Sequence, residues 1–129
     1  MMRLAVIVRH LILDVDTFNA RFADVRQRFA ATLSGKVDDC FAALPTISNE
    51  NDVAVETIVF THRNLHSMCG IAPTVGFPAT GKAARAAETV LSAAAQSRRS
   101  LTSAELAGLI STLKGLRAAI LSELPPGAH

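Results

Sequence analysis

The 129-residue chain contains no tryptophan and no tyrosine, and only 5% of its residues are aromatic. Because strands favour aromatic and β-branched side chains, this scarcity speaks against a fold built on a β-sheet. Half of the residues are apolar and alanine is abundant, which favours closely packed helices. The length suits one domain with a single core, so we expect one helical domain.

The chain also has little excess of positive over negative charge and few cysteines. The formal net charge is only +2, and the longest basic run is Arg98-Arg99, so we expect neither nucleic-acid binding nor attraction to a membrane surface. The two cysteines, Cys40 and Cys69, are too few for the disulfide framework of a small secreted domain. We therefore expect free thiols in a cytoplasmic protein.

Long apolar runs are missing as well. In the opening MMRLAVIVRHLILDVD, Arg9 and His10 interrupt the apolar stretch after five residues, and no small-residue cleavage site follows. A membrane span needs about 20 apolar residues, so we expect neither export nor membrane insertion. We treat residues 1–15 as an N-terminal extension. The sequence leaves open whether it is a strand or a helix, and whether it covers the domain or joins two copies.

Apolar residues recur at helical intervals along the rest of the chain. We predict a first helix that is capped by Asp16 or Thr17 and interrupted at Ser34-Gly35, and a second helix that stops at Pro45. The polar residues 46–52 then form a loop before a third helix. The three stripes are Phe18, Phe22, Val25, Phe29 and Leu33; Val37, Cys40, Phe41 and Leu44; and Val55, Ile58, Val59, Leu65, Met68 and Ala72.

The second half of the chain carries clear turn and cap signals. Gly76 suits the left-handed position after a helix end, and Pro78 suits the first position of the next helix, over residues 78–97. Thr102 and Glu105 form a capping box for a last helix that runs to Pro125-Pro126. These signals predict an all-α fold, an up-and-down antiparallel four-helix bundle over residues 16–124 with an additional N-terminal segment or helix.

His66 falls beside the apolar stripe of its helix, so we expect its imidazole to be exposed. Gly70 follows four residues later, where a helical glycine costs about 1 kcal/mol relative to alanine. Because residues i and i+4 are neighbours on a helix surface, Gly70 would leave His66 approachable by a bulky partner. The alternatives are that the helix ends near Gly70 or that another backbone packs closely there.

The passage HRNLHSMCGIAPTVGFPATGKAARAAE resembles the histidine-containing phosphotransfer (HPt) domains of bacterial two-component phosphorelays. The motif is carried by His66 and Gly70, then by the turn at Gly76 and Phe77, and the helix with Arg85 and Glu88 continues the match. The resemblance implies that His66 accepts a phosphoryl group from a sensor histidine kinase or a receiver domain and passes it to a response regulator. Such a protein is a phosphocarrier, not an enzyme with a kinase site, and the chain has no glycine-rich nucleotide loop.

The resemblance also implies a partner surface and a source of metal. The surface residues are His62, Arg63, Cys69, Gly70, Lys82 and Arg85. The chain itself binds no cofactor, because the partner receiver supplies the Mg²⁺. Cys69 stands where the family usually has a lysine, and Arg63, Lys82 and Arg85 are the candidates to replace its charge.

Two alternatives remain open. His62, His66 and Cys69 lie at i, i+4 and i+7, so they could hold a metal ion from one helical face, although no fourth ligand is evident. The second alternative is a module that binds receiver domains without carrying phosphate, since the usual lysine is missing.

Overall fold

The computed structural model describes the backbone of residues 2–124 and the side chains of residues 15–124. Over that part of the chain it contains no strand and four α-helices: α1 (Met2–Ile47), α2 (Asp52–Ile71), α3 (Pro78–Ser97) and α4 (Ser103–Glu123). A short 3₁₀ helix, Ala72–Val75, links α2 to α3. Consecutive helices pack together through short connections, and α1 also packs on α4, so the predicted all-α bundle is confirmed.

α1 is a single helix where the sequence predicted two helices and a separate N-terminal segment. It begins at Met2 instead of Asp16 or Thr17 and continues through Ser34-Gly35. One buried face continues across the glycine, formed by Ala30, Leu33, Val37, Cys40 and Ile47. Burying a single leucine or valine contributes about 1.5–3 kcal/mol, which exceeds the cost of about 1 kcal/mol for a helical glycine.

Pro45 lies inside α1 and does not stop it, so the stop predicted there is wrong. The helix ends two residues later, at Ile47, whose side chain is buried in the core. A proline this close to the helix end removes one backbone donor without breaking a long run of hydrogen bonds. α2 then begins after Asn51, whose side chain accepts a hydrogen bond from the backbone N–H of Ala54 at 2.8 Å.

The core lies between the four helices and confirms the stripe predicted for α2. It includes Ile58, Leu65 and Met68 of α2 and Leu109, Leu113, Leu116 and Ile120 of α4. The beginning of the stripe predicted for α1 does not join the core, because Phe18, Phe22 and Val25 are exposed. With 46 residues, α1 is roughly 70 Å long, whereas the other helices reach about 30 Å. No helix in the described range is both long and apolar enough to cross a membrane.

The turn between α2 and α3 has the conformation that the sequence predicts. Gly76 is left-handed with φ of 92°, Phe77 is buried, and Pro78 is the first residue of α3. Arg26 of α1 fixes this turn, because its Nε donates to the Val75 carbonyl at 3.0 Å and its guanidinium lies 5.3 Å from the centre of the Phe77 ring. The turn at the end of α2 is therefore held against α1.

α4 starts with the predicted capping box of Thr102 and Glu105. Arg99 donates two hydrogen bonds to the Glu105 carboxylate, at 2.8 and 3.1 Å, and these bonds lower the pKa of Glu105 to about 2. Arg98 follows the last residue of α3 as its left-handed cap, with φ of 49°. The predicted stop at Pro125-Pro126 lies outside the described residues.

Candidate functional site

His66 lies on the outer side of α2, near its C-terminal end. Its side chain is 73% exposed, as the position beside the Leu65 and Met68 stripe predicts. Nδ1 of the ring lies 2.6 Å from Oε1 of Glu88 on α3. The other nitrogen, Nε2, makes no hydrogen bond with any residue in the described range. One side of the imidazole is therefore anchored, and the other faces solvent.

Glu88 is the centre of the site and is only 14% exposed. Its Oε1 accepts from His66, and its Oε2 accepts from Sγ of Cys69 at 3.2 Å. Burial acts to raise the pKa of Glu88, but the hydrogen bonds from His66 and Cys69 outweigh burial and hold this pKa below its usual range. The carboxylate is therefore ionised at neutral pH.

The charge of Glu88 decides which nitrogen of His66 carries the proton. An ionised carboxylate only accepts hydrogen bonds, so Nδ1 of His66 must donate. In the neutral ring, Nε2 then has no hydrogen and holds its lone pair towards solvent. The pair of His66 and Glu88 thus presents an accessible nucleophilic nitrogen at a defined position.

Cys69 lies beneath His66 and is 7% exposed. Its thiol lies 3.1 Å from the carbonyl oxygen of His66 and 3.2 Å from Oε2 of Glu88. Burial raises the pKa of this thiol, and the hydrogen bond to Glu88 raises it further. At neutral pH, Cys69 is a neutral donor to the carboxylate and brings no positive charge to the site.

His62 lies one helical turn before His66 and is held between α2 and α3. Its Nε2 lies 3.3 Å from the hydroxyl of Ser92 and 3.8 Å from Oε1 of Glu88. The Ser92 hydroxyl donates to the Glu88 carbonyl at 3.0 Å, so it accepts from His62. His62 supports the helix that carries Glu88 and offers little surface to a partner.

Gly70 is exposed, and a methyl group added there would meet no atom within 4 Å apart from the local helix backbone. The alternative that another backbone packs closely at Gly70 is therefore wrong. The alternative that the helix ends near Gly70 is confirmed, because α2 ends at Ile71 and a 3₁₀ helix follows. Gly81 shows the contrast, since a methyl group there would lie 2.7 Å from Cγ of Pro73.

The three candidate cations, Arg63, Lys82 and Arg85, are all exposed. None of them makes an ion pair or a side-chain hydrogen bond with residues 15–124. Arg85 lies three residues before Glu88, and its charge acts on the Cys69 thiol against the effect of burial. Arg85 is therefore within electrostatic reach of the site, and its guanidinium is unpaired among residues 15–124.

The ligand atoms of His66, Cys69 and Glu88, which we call the His66 cluster, all lie within 4.8 Å of one another. Imidazole, thiolate and carboxylate are all zinc ligands, so this set has the chemistry of a metal site. The set predicted from helical spacing included His62, which is not a member of the cluster. The prediction differs because α3 supplies one ligand that the spacing along α2 does not show.

Glu88 is the site residue whose role sequence reasoning missed. The resemblance to the family includes Glu88 only as part of the continuing match and assigns it no contact. One signal was present in the sequence. The buried positions Gly81, Ala84 and Leu91 place Glu88 on the same inner face of α3, where an acidic side chain needs a partner.

The site as a whole combines an exposed imidazole with an ionised carboxylate behind it. This arrangement suits nucleophilic attack by Nε2, because the ring is fixed and its charged product would be stabilised. In comparisons with known proteins, no family model, curated protein or solved structure matches the chain.

Proposed function

We propose that this chain is a histidine phosphotransfer protein that carries a phosphoryl group on Nε2 of His66. It receives the group from a sensor histidine kinase or a receiver domain and delivers it to a response regulator. The observation that supports this proposal best is the exposed His66 ring with its Nδ1 bound to Glu88 at 2.6 Å. The motif from His66 to Phe77 is the independent support from the sequence.

The transfer step follows from the protonation state of the ring. The lone pair of Nε2 attacks the phosphorus of an aspartyl phosphate and forms an N–P bond. The bond between phosphorus and the aspartate oxygen breaks, and the aspartate leaves with the electron pair as a free carboxylate. In the reverse direction, a receiver carboxylate attacks the phosphorus and Nε2 takes the electron pair back.

Glu88 has a role in both directions. Attack through Nε2 leaves the ring with a positive charge while Nδ1 keeps its proton. The ionised Glu88 beside Nδ1 offsets that charge and holds the ring in place. Cys69 donates to the other oxygen of Glu88 and so fixes the direction of the carboxylate. Neither residue touches phosphorus, and both act through His66.

The remaining charges come from the surface and from the partner. Transfer of a phosphoryl group depends mainly on positioning and on neutralising the charge of its oxygens. The partner receiver supplies Mg²⁺ for this purpose. Arg85 and Lys82 of α3, which are unpaired among residues 15–124, supply positive charge from this chain. Gly70 leaves open surface beside His66 for the receiver to approach.

In this role the 129 residues depend on another domain for their phosphate. They contain no glycine-rich nucleotide loop, so we propose that a kinase or receiver domain is the donor. Receiver domains and the catalytic parts of sensor kinases act in the cytoplasm, and we place the chain there with them.

The test is transfer from a phosphorylated receiver. The wild-type chain, His66→Gln and His62→Gln are each incubated with purified phosphorylated receiver domains and Mg²⁺. The wild type and His62→Gln are expected to gain a phosphate that is labile in acid and stable in base, and His66→Gln none. Phosphate that remains after loss of His66, or no acceptance by the wild type from any receiver, contradicts the proposal.

The second candidate function is metal binding, and the His66 cluster is the observation that favours it. A zinc ion would replace the protons that now lie between Glu88 and its two donors. Titration with Zn²⁺ tests this directly. For a metal site, His66→Gln, Cys69→Ala and Glu88→Gln each lower the affinity, while His62→Gln does not. Tight zinc binding with this pattern, together with no phosphate acceptance, would replace the first proposal by the second.

A further inference from the structure

From Val15 to Val25, α1 exposes an apolar face that the bundle does not cover. Every side chain from Val15 to Val25 is exposed, whereas Arg26 and Ala30 contact the rest of the protein. The apolar side chains Val15, Phe18, Phe22 and Val25 are between 43% and 67% exposed. The rings of Phe18 and Phe22 stack with their centres 6.3 Å apart. We call residues 2–25 the projecting segment.

The spacing of apolar residues in this segment is that of a coiled coil. They recur at alternating intervals of four and three residues, at Leu4, Val8, Leu11, Val15, Phe18, Phe22, Val25 and Phe29. A strict seven-residue repeat keeps one seam facing a partner helix along its whole length, at the cost of a slight supercoil. Three or more such heptads are typical of a paired helix and exceed what contact with a short bundle requires.

We propose that the projecting segment pairs with the same segment of a second copy of this chain, as an antiparallel coiled coil. This pairing resolves the role of the N-terminal residues that the sequence left open. The backbone of these residues is helical, and the part of the helix that follows, residues 15–25, does not cover the bundle, because its side chains are exposed. The described part of this seam, at Val15, Phe18, Phe22 and Val25, would otherwise remain in water, and such a contiguous exposed apolar face is unusual for a monomer.

The path of α1 into the bundle determines the antiparallel direction. The apolar seam continues into the core of its own chain. There the ring centres of Phe29 and Phe77 are 6.1 Å apart, and Leu33 is fully buried. A parallel second helix would follow the same seam and collide with that bundle. An antiparallel second helix instead carries its own bundle towards the opposite end of the coiled coil.

The antiparallel register that places apolar residues of the two seams opposite each other also places opposite charges next to each other. It places Val15 opposite Phe18 of the second copy and brings Asp14 opposite Arg21 of the second copy, and the two-fold symmetry repeats both pairs. These two charged positions flank the seam, where opposite charges select the partner and its direction. In a parallel pair, Arg21 would instead lie near Arg26 of the second copy, which is repulsive.

The mass of the full chain in solution, measured by light scattering during gel filtration, tests this proposal. The wild type is expected at about twice the 13.7 kDa of one chain. The double variant Phe18→Glu/Phe22→Glu is expected at the mass of one chain, with the thermal unfolding of its bundle retained. Phe60→Glu is the matched control, because Phe60 is equally exposed on α2 but lies off the seam, and this variant remains a dimer.

Charge exchange tests the direction of pairing. Arg21→Glu places two acidic residues opposite each other and is expected to raise the dissociation constant of the dimer by roughly tenfold or more. Adding Asp14→Arg restores the opposite charges and is expected to recover the affinity. A monomeric wild type, a dimer that survives the Phe18→Glu/Phe22→Glu change, or a dimer that Arg21→Glu strengthens overturns the proposal. None of these results depends on whether His66 carries phosphate.

Discussion

At the scale of single residues, the site depends on the two nitrogens of one imidazole being different. Glu88 makes them different, because it binds Nδ1 of His66 and leaves Nε2 to solvent. Cys69 occupies the position of a lysine that the HPt pattern usually has, but its thiol hydrogen-bonds to Glu88 instead of contacting a phosphoryl oxygen. For the proposed transfer, the positive side chains that this chain offers near the site are Arg63, Lys82 and Arg85, which are exposed and unpaired among the described residues.

Replacing Glu88 tests its role in orienting and balancing the ring. Glu88→Gln keeps an oxygen that accepts from Nδ1 but loses the charge, and Glu88→Ala loses both. A hydrogen bond to a charged group contributes about 1.5–3 kcal/mol, so we expect transfer to slow by roughly 10- to 100-fold, more in Glu88→Ala. Single-turnover transfer from a phosphorylated receiver measures this rate. Wild-type rates in both variants would show that Glu88 has no part in the transfer.

A substitution at Gly70 tests the proposed docking surface separately from the stability of the fold. Gly70→Leu removes a poor helix former, so we expect a fold that is at least as stable, by up to about 1 kcal/mol, with slower transfer from a receiver. Gly115→Leu is the matched control, since Gly115 is also exposed on a helix with no atom near its missing side chain. The control should show the wild-type transfer rate. Equal transfer rates in the two variants would remove the proposed reason for glycine at position 70.

At the scale of helices, the bundle depends on end contacts that satisfy free backbone groups. Phe77 precedes α3 and offers no capping side chain. Glu123 of α4 takes this role, because its carboxylate accepts from the backbone N–H groups of Ala79 and Thr80, at 3.0 and 2.6 Å. The start of α3 is therefore tied to the end of α4, which also fixes the helix that carries Glu88.

The cap of α4 gives a stability prediction. Thr102→Ala removes the hydroxyl that accepts from the Glu105 backbone N–H at 3.1 Å. We expect a loss of about 1 kcal/mol in the free energy of unfolding, measured by urea denaturation, with phosphate acceptance unchanged. Ser111→Ala, an exposed change in the middle of the same helix, serves as the control. An unchanged denaturation midpoint in Thr102→Ala would count against the role of the cap.

Glu105 adds a dependence on pH to the same cap. Its pKa falls from 4.5 to about 2 in the folded state, so the folded form binds a proton less readily than the unfolded chain. The stability that Glu105 contributes is therefore present above about pH 4.5 and is lost as the pH falls towards 2. We expect the difference in unfolding free energy between wild type and Glu105→Gln to be largest above pH 5 and to shrink towards pH 2. A difference that does not change with pH would contradict the assigned ion pair with Arg99.

At the scale of the whole molecule, local signals predicted the elements that depend on local contacts. The turn at Gly76, the cap at Thr102 and the all-α class are examples. The continuity of α1 could not be predicted in this way, because the cost of Gly35 is local whereas the burial of Leu33 and Val37 depends on other helices.

The same limit applies to the site and to the projecting segment. Glu88 is 22 residues from His66 in the sequence, and only the packing of α3 on α2 brings the two together. Likewise, the spacing of Phe18 and Phe22 identifies a helix face but not which element covers it. The exposure of His66 could be predicted, because it follows from the position of His66 beside the apolar stripe of its own helix.

The most direct test of the central claim is to identify the atom that carries the phosphate. The chain labelled with ¹⁵N is phosphorylated by a receiver and Mg²⁺, and the ring nitrogens of its histidines are observed by NMR. We expect phosphorus on Nε2 of His66 and a proton retained on Nδ1, next to Glu88. Phosphorus on Nδ1 of His66, on Cys69 or on another histidine, or no phosphorylation at all, would contradict the account.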